Sequence, residues 1–304
     1  MKVGFVSAIL DGWTLEEVLE VAQRGGYQCV ELACWPQGAA ERRYAGVSHL
    51  DVAGLDDARA GEVLALCAER GVGISALGYY PNVLSPDAEA AGRAIEHLHR
   101  VIDASARLGV NLVTTFIGRD QHACLEDNLA RLGDVWKPIM AHAAASGVRV
   151  AIENCPMLFG PDQWPGGQNL FTSPLVWGRV FEAVGSEALG LNFDPSHFVW
   201  QMMDYLAPVE EFADRLWHVH FKDIRLDRRR LDRVGTMAYP LDFMEPVLPG
   251  HGDVDWGAFV AALDSIGYDG PACVEVEDRA YEGSRQRILD SLTLSKRYLD
   301  QFVV

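Results

Sequence analysis

One pattern recurs along this chain of 304 residues: a stretch with helical periodicity, a glycine, an apolar run rich in β-favouring residues, and a polar loop. At that point a glycine ends a helix in the left-handed conformation, and the next strand starts at once. The pattern therefore predicts a chain that alternates helices with strands. The glycine stands directly before a tyrosine or a valine at five places, which are Gly26, Gly71, Gly109, Gly147 and Gly267.

Eight apolar runs are predicted to be strands, and they are apolar almost throughout, as expected for parallel strands covered on both faces. They lie at residues 3–9, 29–33, 72–77, 111–116, 149–152, 189–193, 216–221 and 272–276. Helical periodicity is clear at residues 15–24, 56–70, 88–108, 124–146 and 256–266, and a final helix is expected at 283–299. Eight such units predict an α/β fold, a single (β/α)8 TIM barrel that spans residues 1–304 as one domain.

Four potential metal ligands stand at the ends of four of these runs: Glu153, Asp194, His220 and Glu275. The carboxyl ends of barrel strands meet at one end of the barrel, so we expect these side chains to bind one metal ion. Glutamate is a poor helix cap and is seldom buried unless it is paired or bound to a metal. Asp194 precedes Pro195, so helix capping is an alternative for that residue alone.

Three carboxylates and one imidazole favour a hard divalent cation. Mn²⁺, Mg²⁺ and Co²⁺ all suit such a site, and Zn²⁺ is a further candidate. The carboxylates leave the site slightly anionic, so the expected ligand is a neutral molecule with several hydroxyl groups.

Three polar residues alternate along the seventh predicted strand: His218, His220 and Lys222. A period of two places all three on one face of the strand, stacked along the barrel interior. We expect His218 to lie in the core behind the metal ligands. Lys222 is predicted to contact a substrate oxygen, and the alternative is a lysine that extends to the rim of the barrel.

Further side chains are predicted to line the substrate pocket. His197 is assigned to a substrate hydrogen bond, with capping or core packing as its alternatives. Asn154 is assigned to the same pocket, where it could orient the preceding glutamate. Tryptophan faces stack on sugar rings, and Trp200 is assigned to the pocket on that ground, with ordinary loop packing as the alternative. The tryptophans in predicted loops after strands are Trp13, Trp35, Trp164 and Trp200.

Two long loops, residues 155–172 and 223–252, are predicted to build the pocket or a lid. The second loop contains an arginine cluster, which could bind a phosphate, meet a partner subunit or solvate the loop. Its members are Arg225, Arg228, Arg229, Arg230 and Arg233.

The formal net charge of −17 argues against nucleic acid and against anionic membranes as partners. No apolar run approaches the ~20 residues of a membrane span, and the N-terminal segment lacks the features of a signal peptide. The six cysteines form no C-x-x-C pair, which favours reduced thiols. We expect a soluble, cytoplasmic protein that acts on a small molecule and forms a homo-oligomer, either a dimer or a tetramer.

Four stretches resemble the sugar phosphate isomerase/epimerase family, the xylose isomerase-like barrels. They are Ala-Ile-Glu-Asn-Cys-Pro at 151–156, Asn-Phe-Asp-Pro-Ser-His at 192–197, His-Val-His-Phe-Lys-Asp at 218–223 and Ala-Cys-Val-Glu at 272–275. The resemblance implies that the four predicted ligands bind one divalent metal, often Mn²⁺. It also implies that Glu153 and Glu275 form an acid/base pair and that His197 binds substrate. Ketose 3-epimerases carry an arginine a few residues beyond the position of His220. Arg225 lies near that position but out of register, and it is the candidate for substrate binding.

The predicted function is a metal-dependent sugar isomerase or epimerase that removes an α-proton from a keto sugar or keto-glycoside through a metal-stabilised enediolate. One alternative is a lyase that eliminates the aglycone of an oxidised glycoside, possibly within a complex. A non-catalytic sugar-binding role is another. An endonuclease IV-like hydrolase is disfavoured by the net charge and by the lack of histidines after the third and fourth strands.

Overall fold

Eight parallel strands close into a barrel in the computed structural model, which describes residues 1–36, 44–158 and 166–303. A separate pair of antiparallel strands lies between the seventh and eighth barrel strands. The strands are β1 (Lys2–Val6), β2 (Cys29–Ala33), β3 (Gly73–Gly78), β4 (Leu112–Thr115), β5 (Arg149–Glu153), β6 (Leu189–Phe193), β7 (Leu216–Phe221), β8 (Asp223–Leu226), β9 (Met244–Val247) and β10 (Pro271–Val274). The order around the barrel is β1-β10-β7-β6-β5-β4-β3-β2, which confirms the predicted (β/α)8 TIM barrel.

All but the last of the described helices lie between two strands along the chain, and the last follows the final strand. Their bounds are α1 (Leu15–Gly25), α2 (Asp57–Arg70), α3 (Ala88–Arg107), α4 (Leu125–Ala145), α5 (Pro174–Val184), α6 (Ser196–Trp200), α7 (Ala207–Glu211), α8 (Arg228–Val234), α9 (Trp256–Ser265) and α10 (Arg285–Leu299). The five glycines of the repeated pattern all have positive φ angles, between 64° and 70°, as helix-terminating glycines should.

The start of a helix is often fixed by a side chain that the sequence provides. Thr14 accepts a hydrogen bond from the Glu17 backbone N–H, and the Glu17 carboxylate accepts one from the Thr14 N–H. This reciprocal capping box begins α1. Aspartates cap α2, α3 and α9 in a similar way. These caps fix where each helix begins. They therefore also fix where the loop that leads from the preceding strand to that helix ends.

The first strand is shorter than predicted, since it ends at Val6 and a 3-10 turn covers Ser7–Leu10. The Ser7 hydroxyl accepts a hydrogen bond from the Ala33 backbone N–H (2.9 Å) and lies 2.9 Å from His49 Nδ1. His49 Nε2 lies 3.0 Å from the Leu10 carbonyl oxygen. These side-chain bonds replace ladder bonds, so the apolar residues after Val6 do not extend the strand.

His49 makes the stability of the fold depend on pH. Burial lowers the pKa of His49, and its hydrogen bond to the Leu10 carbonyl only partly opposes this. The unfolded chain therefore binds a proton more readily, so stability is full above about pH 6.5 and declines as the pH falls below that value. Each unit of pKa lowering is worth about 1.4 kcal/mol. We expect His49→Gln to lose less stability than the wild type between pH 7.5 and pH 5 in urea unfolding.

His251 provides the control for that comparison, because it lies on an exposed loop. His251→Gln carries the same substitution outside the core, so it reports effects of the substitution that do not depend on burial. Equal slopes for all three proteins would show that His49 does not titrate on unfolding.

Part of the predicted loop at 223–252 is ordered structure. Strands β8 and β9 pair antiparallel, with Asp223 opposite Val247, and α8 lies between them. No residue of α8 is buried, so its arginines face solvent. Among the described residues, no helix combines the length and the apolar character that a membrane crossing requires.

Candidate metal centre

The register of the barrel strands brings the four predicted ligands to one end of the barrel. Glu153 is the last residue of β5, and Asp194 follows directly after β6. His220 of β7 lies beside Cys273 of β10. Glu275, two residues beyond Cys273, therefore lies on the same side of its strand and one step nearer the carboxyl end.

Ligand atoms of Glu153, His220 and Glu275 lie within 4.8 Å of one another, and Asp194 adjoins this group through His197. His220 Nδ1 lies 3.4 Å from Glu275 Oε2 and 3.7 Å from Glu153 Oε1. His197 Nε2 lies 3.7 Å from the same Glu153 oxygen and 3.2 Å from Asp194 Oδ2. Ligands bound to one ion at about 2.1 Å lie about 3.0 to 3.5 Å apart, so these separations are close to those of a coordination shell.

Four buried polar atoms of this cluster have no hydrogen-bond partner among the described residues, although they lie at ion-pair distances from one another. Buried polar groups are nearly always bonded, so a group of unsatisfied atoms in one place needs an explanation. The atoms are Asp194 Oδ2, His197 Nε2, His220 Nδ1 and Glu275 Oε2. A divalent cation would satisfy the carboxylate oxygens and the imidazole nitrogen together, and the donor set of the centre fits one.

The electrostatics of the centre show excess negative charge that positive groups must balance. Burial acts to lower the pKa of His220, but the nearby Glu31 and Glu275 carboxylates raise it well above its usual value. Burial acts to raise the pKa of Glu153, and contacts from His197 and His220 lower it overall. The pKa of Glu275 is raised, by burial first and then by the charge on Glu153, with Lys222 opposing. The carboxylates around His220 thus favour additional positive charge at this point, which a bound cation would supply.

Lys222 does not extend to the rim. Its side chain is only 4% exposed, and Nζ lies 2.7 Å from Glu277 Oε2, 3.2 Å from Glu275 Oε2 and 3.8 Å from Asp194 Oδ2. Burial acts to lower its pKa, but Glu275 and Glu277 raise it well above the usual value. A charged ammonium group therefore lies directly beside the candidate centre.

The structure places Asn154, His197 and Trp200 behind or beside the ligands. The Asn154 amide donates to the Asp194 carbonyl (2.8 Å) and accepts from the Asp194 N–H (2.7 Å), so it orients Asp194 through its backbone. From the sequence, Asn154 is instead expected to orient the neighbouring Glu153. The buried indole of Trp200 donates to His197 Nδ1 (3.4 Å), which directs His197 Nε2 toward the centre. The role of His197 in binding substrate stays a prediction.

Other predicted site residues lie elsewhere. Arg225 is exposed on β8, and its Nε donates to Glu245 Oε1 (2.9 Å) on β9. This pair joins the two strands of the hairpin, and no described contact links Arg225 to the centre. Trp13 packs under the Arg285 guanidinium, and Trp35 meets Tyr79 edge to face. Trp164 and part of the loop 155–172 lie outside the described residues.

Sequence reasoning missed Glu31, which is fully buried in β2. Its carboxylate lies 2.8 Å from His220 Nε2 and accepts a hydrogen bond from the Tyr80 hydroxyl (2.6 Å). The available signal was a glutamate in the middle of the apolar strand Cys29–Ala33, where a charged residue needs a partner. Glu277, which contacts Lys222, was missed as well.

His218 lies deeper than His220, as predicted. Its Nδ1 donates to Asn192 Oδ1 (3.0 Å), and its Nε2 accepts from the Ser75 hydroxyl (3.2 Å). Burial lowers the pKa of His218 to about 4, with Glu31 opposing the shift. His218 is therefore neutral, and both of its nitrogens are bonded.

Inosose dehydratases are among the curated proteins to which this chain is similar in sequence. Inosose dehydratase from Geobacillus thermodenitrificans is 31% identical over 155 residues, which is 50% of this chain and 46% of that protein. The chain spans about half the length, or less, of the curated relatives that it matches.

Solved structures align over the whole chain. A D-psicose 3-epimerase from Clostridium cellulolyticum H10, crystallised with D-tagatose, superposes with a TM-score of 0.68 at 15% identity, covering 99% of both chains. The IOLI protein with a bound zinc atom superposes with a TM-score of 0.71 at 18% identity, covering 100% of this chain and 99% of the other. At these identities the likeness shows the fold.

The family assignment rests on a match along nearly the entire sequence. The profile of the xylose isomerase-like TIM barrels matches residues 19–298. That range includes Glu153, Asp194, His220 and Glu275, which the barrel brings to one end. The chain therefore belongs to the family of xylose isomerase-like TIM barrels.

Proposed function

We propose that this chain is a divalent-metal-dependent isomerase or epimerase that removes a proton next to the carbonyl of a keto sugar or a related keto polyol. The observation that carries the proposal is the cluster of unsatisfied buried atoms on Asp194, His220 and Glu275, with Glu153 beside them. These four residues would hold the metal. Mn²⁺ is the proposed ion, and the zinc atom bound in the structurally similar IOLI protein is in line with a divalent cation in a protein of this fold.

A bound cation supplies positive charge next to the carbonyl oxygen, which lowers the energy needed to remove the neighbouring proton. The proton itself moves between substrate and glutamate. Glu153 Oε1 and Glu275 Oε2 lie 3.7 Å and 3.4 Å from His220 Nδ1 and come from two different strand ends, so two carboxylates face the same centre. One carboxylate removes the α-proton and the other returns one. A glutamate that holds the metal would still have a carboxylate oxygen for this transfer.

The remaining residues position the substrate and balance its charge. His197 Nε2 points at the centre and can donate to a substrate oxygen, because the Trp200 indole occupies Nδ1. The Lys222 ammonium group can donate to a second oxygen from the β7 side of the centre. The Glu275 side chain is 20% exposed, so it can be reached from the open end of the barrel.

A second candidate function is elimination of water from a keto polyol. Two observations favour it: the sequence similarity to inosose dehydratases, and the buried Lys222 ammonium 3.2 Å from Glu275. After α-proton removal, a leaving hydroxyl group needs a proton, and Lys222 is placed to donate one. Epimerisation and elimination share the removal of the α-proton. They differ in the second step, which is return of a proton to carbon in one case and loss of water in the other.

Solvent deuterium exchange tests the proposal and separates the two candidates. The Mn²⁺-loaded protein is incubated in D₂O with unphosphorylated ketoses, phosphorylated ketoses, 3-keto-glucosides and keto-inositols, and the products are followed by NMR. Deuterium at one inverted carbon indicates epimerisation, transfer to the adjacent carbon indicates isomerisation, and a new double bond indicates elimination. The chelated protein is the control. Full metal binding with no exchange on any substrate would reject proton abstraction for these compounds.

A further inference from the structure

A buried carboxylate lies directly behind the candidate metal centre. Glu31 of β2 is fully buried, and its two oxygens have different partners. Oε2 lies 2.8 Å from His220 Nε2, and Oε1 accepts a hydrogen bond from the Tyr80 hydroxyl. The Tyr80 bond limits rotation of the carboxylate, so Oε2 stays directed at the imidazole.

The bond at Nε2 determines what Nδ1 can do. An imidazole that donates from Nε2 to a carboxylate keeps its proton there, which leaves the lone pair of Nδ1 free to bind a cation. His220 Nδ1 has no hydrogen-bond partner among the described residues and lies within 3.4 to 3.7 Å of oxygens of Glu275 and Glu153. His220 Nε2 lies 2.8 Å from the Glu31 carboxylate and 3.1 Å from the Asn192 amide nitrogen, and the charged carboxylate at the shorter distance favours the proton on Nε2. Nδ1 is open to the centre.

Glu31 could instead be read as a metal ligand, since Glu31, His218 and His220 offer ligand atoms within 4.8 Å of one another. The hydrogen bonds argue against that reading. His218 Nδ1 is bonded to Asn192 and Nε2 to Ser75, so His218 has no free lone pair for an ion. The unsatisfied atoms of the centre all lie on the other side of His220.

We propose that Glu31 is a positioning residue that holds the proton of His220 on Nε2 and thereby makes Nδ1 the metal-binding atom. This inference rests on the proposed metal site. Carboxylates that orient a metal-binding histidine in this way typically change metal affinity by 10- to 100-fold when they are removed.

The test compares two variants in the full-length chain by calorimetric titration with Mn²⁺. Glu31→Gln keeps the size of the side chain but removes the charge that holds the Nε2 proton. We expect its Kd for Mn²⁺ to rise about 10- to 100-fold. Ser75→Ala is the matched control, since it removes a hydrogen bond to His218, which lies on the same strand as His220, and leaves the bonds of His220 in place. We expect its Kd to stay within about threefold of the wild type.

A merely structural role would lower the thermal stability of both variants without a selective change in Kd, and that result would overturn the proposal. A measurement on the wild type covers the case in which Glu31→Gln does not fold. In the zinc-loaded protein labelled with ¹⁵N-histidine, His220 should show a protonated Nε2 and a metal-bound Nδ1. The reverse assignment would also overturn it.

The two proposals fail in different ways. If the wild type binds no divalent metal, the proposed metal site and the role of Glu31 are both wrong. If the wild type binds Mn²⁺ and exchanges substrate protons while Glu31→Gln binds Mn²⁺ equally well, only the role of Glu31 is wrong.

Discussion

Glu275→Gln should reduce metal-dependent proton exchange by about 10²- to 10⁴-fold, the range expected for loss of a positioned general base. Glutamine has nearly the same shape as glutamate, but its amide cannot accept a proton at neutral pH. Because Glu275 Oε2 also faces His220 Nδ1 at 3.4 Å, the variant should bind Mn²⁺ more weakly as well. Exchange is therefore measured at saturating Mn²⁺, which separates lost affinity from lost proton transfer.

Glu277→Gln provides the matched control. Glu277 also contacts Lys222, with Oε2 2.7 Å from Nζ, and it lies two residues away on the same segment. It is not one of the four proposed metal ligands. We expect the rate of Glu277→Gln to stay within about tenfold of the wild type. If Glu275→Gln kept wild-type exchange at saturating metal, Glu275 would not be the base, and Glu153 alone would have to serve.

The barrel was predictable because local and global signals agree. Helix caps such as Thr14 with Glu17, terminating glycines such as Gly71, and continuous apolar strands all point to alternating helices and strands. Strand β6 has the predicted bounds, and so does β7. The helices that were not predicted from the sequence, such as α5, lack this agreement between local and global signals. Helix α5 is rich in valine and other apolar residues around its circumference, so periodicity alone does not identify it.

The four candidate ligands were predictable because each stands at a strand end, where position along the chain translates directly into position in the barrel. Glu31 was not, because its significance depends on a partner 189 residues away, His220. Sequence spacing shows which side chains reach one end of the barrel. It does not show which nitrogen of a histidine is already bonded, and that distinction decides which face of His220 can bind a metal.

Residue roles inferred from type alone were less secure. Tryptophan stacking on a sugar was a reasonable expectation for Trp200, yet its indole is buried against the β8–β9 hairpin and donates to His197. Arg225 was placed near a substrate by its distance from His220 in sequence. The chain turns into the hairpin after Asp223, so that distance does not carry over into space.

The hairpin itself depends on Asp223, the last residue of the His-Val-His-Phe-Lys-Asp stretch. Its buried carboxylate accepts five hydrogen bonds. Four come from backbone N–H groups and one from an indole: the donors are Ile224, Gly250, Gly252, Val254 and the Trp256 side chain. Gly252 lies so close that a Cβ there would come within 2.2 Å of the carboxylate. Asp223 thus ties the start of the hairpin to the loop after it.

Asp223→Ala should lower the free energy of unfolding by about 3 to 5 kcal/mol, because it leaves several buried donors without an acceptor. Asp223→Asn should cost nearly as much, since its NH₂ group must face at least two of these donors. Asp227→Ala is the control: Asp227 caps the exposed helix α8, and its loss should cost about 1 kcal/mol. Urea unfolding of the three variants gives the comparison. Equal losses for Asp223→Ala and Asp227→Ala would mean that solvent replaces the lost acceptor, and that the loop after β9 is held by other contacts.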